Sequence, residues 1–116
     1  MLKALSEIAW FKAAFKEFKT FSQEAQAKIF SALNLAAQVE KAKIAKPMEG
    51  LGAGVFEAAV KRGSDAYRTV YAVRIDDKLW VLHAFKKKSR RGVKTPKQDI
   101  DLIKRRIKVL REMANE

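Results

Sequence analysis

The sequence contains no cysteine, so no disulfide framework and no thiolate zinc site can form, and the chain suits a reducing compartment. Histidine occurs once, at His83, which removes paired-histidine metal sites. No glycine-rich phosphate loop with its lysine is present, and no Ser-His-Asp arrangement can be traced. Gly50, Gly52 and Gly54 are spaced G-x-G-x-G and precede a strand pattern, whereas the dinucleotide fingerprint opens a helix, so this stretch reads as a linker. Long apolar runs are missing too. The charge-free stretch after Ile29 is broken by Ser31, Asn34 and Gln38 and falls short of the roughly 20 apolar residues a membrane span needs. The N-terminus carries Glu7 without the apolar block of a signal peptide, so the expected location is the cytoplasm.

What is abundant is positive charge. The 116 residues hold 25 Lys and Arg against 13 Asp and Glu, a formal net charge of +12, while 48% of residues remain hydrophobic. A basic disordered tail would lack that apolar content, so the pattern describes a folded domain with a basic face, and 116 residues suit one domain spanning 1–116. The charge is uneven: eight basic and five acidic residues up to Gly54, seventeen and eight from Val55 onward. Seven basic residues and no acid lie between Lys86 and Lys97, a density suited to a phosphate backbone.

Along the chain, Phe11, Ala14, Phe15 and Phe18 recur at helical spacing, with Lys12, Lys16 and Lys19 on the other side. A second helix is expected from an N-cap at Ser22 through Ala25, Ile29, Leu33 and Ala36 towards Lys43. Ala4, Ser6, Ile8 and Trp10 alternate as a short strand, although Leu2, Leu5 and Ile8 could instead extend the first helix. After the linker the period becomes that of strands, over Val55 to Lys61, Tyr67 to Ile75 and Leu79 to Lys86, an antiparallel meander with turns at 62–65 and 76–78. Thr95, Pro96 and Gln98 then form the start signal of a last helix, with Thr95 as cap. Helices, then strands, then a closing helix predict an α+β fold with helices packed on an antiparallel sheet.

The residues left to carry chemistry are cationic. Cleaving RNA asks little of a protein, because the substrate's 2′-hydroxyl can attack the adjacent phosphorus once it is deprotonated, provided that the transition-state charge is stabilised and the leaving oxygen is protonated. Arginine supplies paired donors to phosphate. Lys87 stands between Lys86 and Lys88, and neighbouring cations favour its neutral form, which makes it a general-base candidate; equally, all three lysines could simply bind backbone. His83, within Val81-Leu82-His83-Ala84-Phe85, reads as a hydrogen-bonded structural residue, able to shuttle a proton only on an exposed face. Asp76 and Asp77 read as turn formers, and no metal or cofactor is expected.

Taken in order, Gly54-Val55-Phe56-Glu57, Tyr67-Arg68-Thr69-Val70-Tyr71, Val81 to Lys88, and Lys94-Thr95-Pro96 opening a helix resemble the phage-derived, HigB-like branch of the RelE toxin superfamily. The resemblance implies a RelE-like fold: a short N-terminal strand, two helices, a three-stranded antiparallel meander and a C-terminal helix on one sheet. It also implies a metal-independent endoribonuclease of a bacterial type II toxin–antitoxin system, cutting mRNA on the translating ribosome and held in check by an antitoxin, often a helix-turn-helix protein. By the same resemblance Arg68 is the phosphate-binding arginine. Lys87 falls where relatives carry an arginine that assists the leaving group, so an acid or charge-stabilising role competes with the base role. Lys61 and Arg62 lie where relatives place basic residues, and Lys86, Lys88, Arg90, Arg91 and Lys94 would join them in holding RNA. Where the RelE branch has two catalytic strand lysines, this sequence has Glu57 and Ala59, and its last helix offers no tyrosine. Glu57 is then a base, a partner holding Arg68, or a surface carboxylate balancing lysines. The competing functions are a gyrase-poisoning toxin on the same fold and a non-enzymatic RNA-binding protein.

Overall fold

The structure is a computed structural model that describes residues 7–38, 44–88 and 95–114, with the side chain of Lys88 left out. The elements are β1 (Glu7–Trp10), α1 (Lys12–Lys19), α2 (Gln23–Ala37), β2 (Ala45–Pro47), β3 (Val55–Arg62), β4 (Asp65–Ile75), β5 (Lys78–Lys88) and α3 (Lys97–Ala114). The strands form one sheet in the order β1-β5-β4-β3-β2. All pairings are antiparallel except β1 with β5, which is parallel. The architecture is the expected α+β one, with the early residues 7–10 forming a strand. Two details go beyond the sequence reading. The linker contributes a short edge strand, β2, and β1 adds a parallel pairing beside the meander.

Local chemistry explains the element ends. Ser22 caps α2 by accepting from the Ala25 N–H at 3.2 Å. The expected run of α2 towards Lys43 ends at Ala37 in the helix itself, and residues 39–43 lie outside the described residues. Asp76 and Asp77 both adopt positive φ, 54° and 58°, the conformation a two-residue hairpin turn between β4 and β5 requires and one that aspartate tolerates. The last helix starts one residue later than its start signal suggested. Pro96 lends its carbonyl to the N–H groups of Asp99 and Ile100, and the Thr95 hydroxyl donates to Glu57.

Alternation along the strands divides the core in two. On one sheet face Ala58, Val60, Tyr71, Leu79, Val81 and Ala84 pack under Ala14, Phe18, Ala25, Ile29 and Leu33 of α1 and α2. On the other, Val55, Val70, Ala72 and Leu82 pack under Ile103, Ile107 and Leu110 of α3. Burial sends the Tyr71 hydroxyl pKa up to about 12, so it stays neutral in the first core. Among the described residues no helix is long and apolar enough to cross a membrane.

Candidate functional site

The α3 face of the sheet is the one that carries the expected site residues. Cross-strand registers stack three rows on it: Glu57, Val70 and His83; then Ala59, Arg68 and Phe85; then Lys61, Ala66 and Lys87. Successive rows are about 7 Å apart. Helix α3 packs over the end nearest Val70 and leaves the row of Lys61 and Lys87 outside its apolar contact. Alanine at 59 and 66 keeps the floor between the charged side chains low.

Arg68 and Glu57 are diagonal neighbours, since Arg68 sits two residues from Val70, the direct partner of Glu57. Arg68 Nη1 donates to Glu57 Oε1 at 3.3 Å, with the two side chains 13% and 14% exposed. The other oxygen, Oε2, accepts from the Thr95 hydroxyl at 2.8 Å. Of the readings open for Glu57, the geometry favours a partner of Arg68 over a freely solvated surface carboxylate. Lys61 is exposed and Lys87 partly buried on the same face.

The remaining expected contacts are not all brought to this face. Lys86 pairs with Tyr67, so alternation puts it on the opposite side with α1 and α2. Arg62 also falls on that side and forms an ion pair with Glu24 of α2. Arg90, Arg91 and Lys94 lie outside the described residues, as does the side chain of Lys88. Among the described residues no group of three or more His, Asp or Glu is placed to hold a metal ion.

A second polar cluster was not anticipated as a unit. Between Val70 and Tyr71 the β4–β5 register shifts by one, so Leu82 is a bulged residue and both Leu82 and His83 turn to the α3 face. His83 is 5% exposed, with Nδ1 3.0 Å from Glu17 Oε1 and Nε2 2.7 Å from Asp99 Oδ1, and its ring stacks on Phe85 at 5.0 Å. Arg106 grips Glu17 with both terminal nitrogens, at 3.0 and 3.1 Å, and donates to the Leu82 carbonyl at 2.7 Å. The N–H of Ala84 also donates to Glu17. Burial works to raise the Glu17 pKa, but the His83, Arg106 and Ala84 hydrogen bonds outweigh it and hold the value at about 2. For His83, burial works to lower the pKa and is overridden by the hydrogen bonds to Glu17 and Asp99, so the net shift is upward. The histidine is thus structural, with both ring nitrogens engaged.

Two signals could have exposed this cluster. Arg106 lies at helical spacing from Ile103 and Leu110, on the buried stripe of α3, and Glu17 sits between Ala14 and Phe18 on that of α1.

The profile of the family described as phage-derived protein Gp49-like matches residues 16–108. The chain therefore belongs to the phage-derived Gp49-like family, a family of RelE/HigB-like toxins. Among solved structures it is similar to a chain of the toxin–antitoxin complex RelBE2 from Mycobacterium tuberculosis, with 17% identity, a TM-score of 0.51, and coverage of 74% of this chain and 95% of that one. That likeness establishes a RelE-like fold. A search of curated proteins finds no match.

Proposed function

We propose that this protein is the toxin of a type II toxin–antitoxin module and an endoribonuclease that cuts mRNA on the translating ribosome. The observation that carries the reading is the Glu57–Arg68 pair with Lys61 and Lys87 one row further along the same sheet face. A carboxylate, a guanidinium and a lysine in that order can perform the whole reaction. Arg68 holds the scissile phosphate and stabilises the charge that builds on its oxygens. Glu57 takes the proton of the 2′-hydroxyl as the 2′-oxygen attacks phosphorus. The bond from phosphorus to the 5′-oxygen breaks, and Lys87 gives that oxygen its proton, leaving a 2′,3′-cyclic phosphate and a 5′-hydroxyl. Lys61 binds the flanking backbone. The reaction as written uses no metal and no cofactor.

Family membership supports the toxin reading, and an antitoxin follows from it: a protein, in many such modules of the helix-turn-helix type, with an acidic or amphipathic segment to cover the basic face. The similar RelBE2 chain comes from such a complex. The work would be done in the bacterial cytoplasm, where ribosomes translate.

The test is brief induction of wild type and Arg68→Ala in bacteria, with mRNA 5′ ends mapped by primer extension. New ends inside translated frames are expected with wild type alone, and they should vanish when translation initiation is blocked. Growth arrest without such ends would refute the nuclease and direct attention to gyrase, read by plasmid supercoiling. No effect on growth or mRNA would favour passive RNA binding.

A further inference from the structure

Thr95 stands two residues ahead of α3. Its hydroxyl and Arg68 divide one carboxylate between them: Thr95 Oγ1 holds Glu57 Oε2 at 2.8 Å, and Arg68 Nη1 meets Oε1 at 3.3 Å. The arginine contact is long beside the roughly 2.7–2.9 Å usual for such charge-assisted bonds, whereas the hydroxyl contact is short. A planar guanidinium next to a carboxylate tends towards a forked pair using both oxygens. With Oε2 held by Thr95, that arrangement is opposed, and the two carboxylate oxygens keep different partners.

We propose that Thr95 is a positioning residue for RNA cleavage, its hydroxyl fixing the Glu57 carboxylate so that Glu57 receives the 2′ proton while Arg68 receives the phosphate. The inference rests on the nuclease reading and deepens it. The sequence presets the hydroxyl. Pro96 biases the residue before it to extended backbone, and the β-branched threonine has few χ1 options. Thr95 therefore reaches β3 from a rigid foothold at the start of α3, whose Asp99 is in turn tied to His83.

The test compares wild type, Thr95→Val, Thr95→Ser, Glu57→Ala and the Thr95→Val/Glu57→Ala double variant in single-turnover cleavage of an mRNA, on programmed ribosomes and as free transcript. Removing a hydrogen bond to a charged group predicts that Thr95→Val lowers the maximal rate by about 10-fold or more, with the half-saturating concentration changed less than about twofold. Thr95→Ser, which keeps the hydroxyl, should stay within about threefold of wild type. Because Thr95 acts through Glu57, adding Thr95→Val to Glu57→Ala should change the rate by less than about twofold. A wild-type rate for Thr95→Val, or a defect that multiplies that of Glu57→Ala, would overturn the inference while leaving the nuclease reading intact. If the valine variant does not fold, Thr95→Ala takes its place with the same expectations. If wild type cuts neither substrate, the nuclease reading fails and this inference falls with it.

Discussion

Two groups of charged residues each draw a strand member from the α3 face of the sheet, and they differ in what surrounds them. In the first, Glu17, His83, Asp99 and Arg106 join α1, β5 and α3, and every ring nitrogen of His83 and both oxygens of Glu17 are taken by partners inside the protein. In the second, Glu57 meets Arg68 at 3.3 Å and Thr95 at 2.8 Å, with Arg68 in the row next to exposed Lys61. The difference teaches that a conspicuous residue type is a poor guide to the site. The lone histidine is committed to holding three elements together, whereas Glu57, a plain strand carboxylate in sequence, sits between Arg68 and Thr95.

The comparison breaks most decisively at Arg106. Replacing it by methionine leaves the partly buried Glu17 with fewer partners and frees the Leu82 carbonyl, so unfolding free energy from urea titration should fall by about 2 kcal/mol or more. A loss below about 1 kcal/mol would show that the cluster is solvated and contributes little. Arg68→Ala should behave in the opposite way. We expect cleavage to fall about 100-fold or more, far beyond what any accompanying loss of stability explains. Equal damage to stability and rate would erase the distinction between the two groups.

The pH dependence of stability sharpens the contrast through the first group alone. Glu17 has a folded pKa depressed from 4.5 to about 2, so its contribution is complete above 4.5 and is lost as pH falls through about 2. His83 has a folded pKa raised above 6.5, so its contribution is complete below 6.5 and is lost as pH rises through the raised value. Unfolding measured across pH should therefore give a plateau between about 4.5 and 6.5 with a decline on each side. His83→Gln should flatten the alkaline decline and shrink the acid one, because the His83 hydrogen bond helps hold the Glu17 pKa down; an alkaline decline that persists in that variant would assign it to other groups.

Much of the fold was legible because it is local. The capped α2, the three long strands and the start of α3 all announce themselves by period and by punctuation within a dozen residues. The bulge at Leu82 was not, since nothing in Val81-Leu82-His83-Ala84 marks which residue the partner strand skips, and strict alternation would misplace His83 relative to Leu82. Nor was the buried cluster, whose members are brought together over 66 and 89 positions by the packing of α1 and α3. The short strand β2 was hidden by Pro47, a residue admitted only because β2 is an edge strand. Of the candidate site, Arg68, Glu57 and Lys87 are the residues that motif resemblance proposed, whereas Thr95 read as a helix cap because its reach to β3 depends on how α3 docks.

Alternation gives the finest prediction, on two adjacent residues that composition alone treats as equivalent. Lys86 and Lys87 are adjacent and carry the same charge, yet Lys87 shares a row with Ala66 and Lys61 on the Arg68 face, while Lys86 pairs with Tyr67 on the other. If the cations act merely by raising the local concentration of RNA, neutralising either should weaken binding alike and lower the salt dependence by a similar slope. If Lys87 gives its proton to the leaving oxygen, Lys87→Ala should reduce the single-turnover rate about 10-fold at saturation, and Lys86→Ala should change it less than about twofold. The discriminating substrate is one whose leaving 5′-oxygen is replaced by sulfur, which needs no proton to depart. On that substrate the Lys87→Ala defect should largely disappear, and a defect that survives would make Lys87 a phosphate-binding residue instead of the acid.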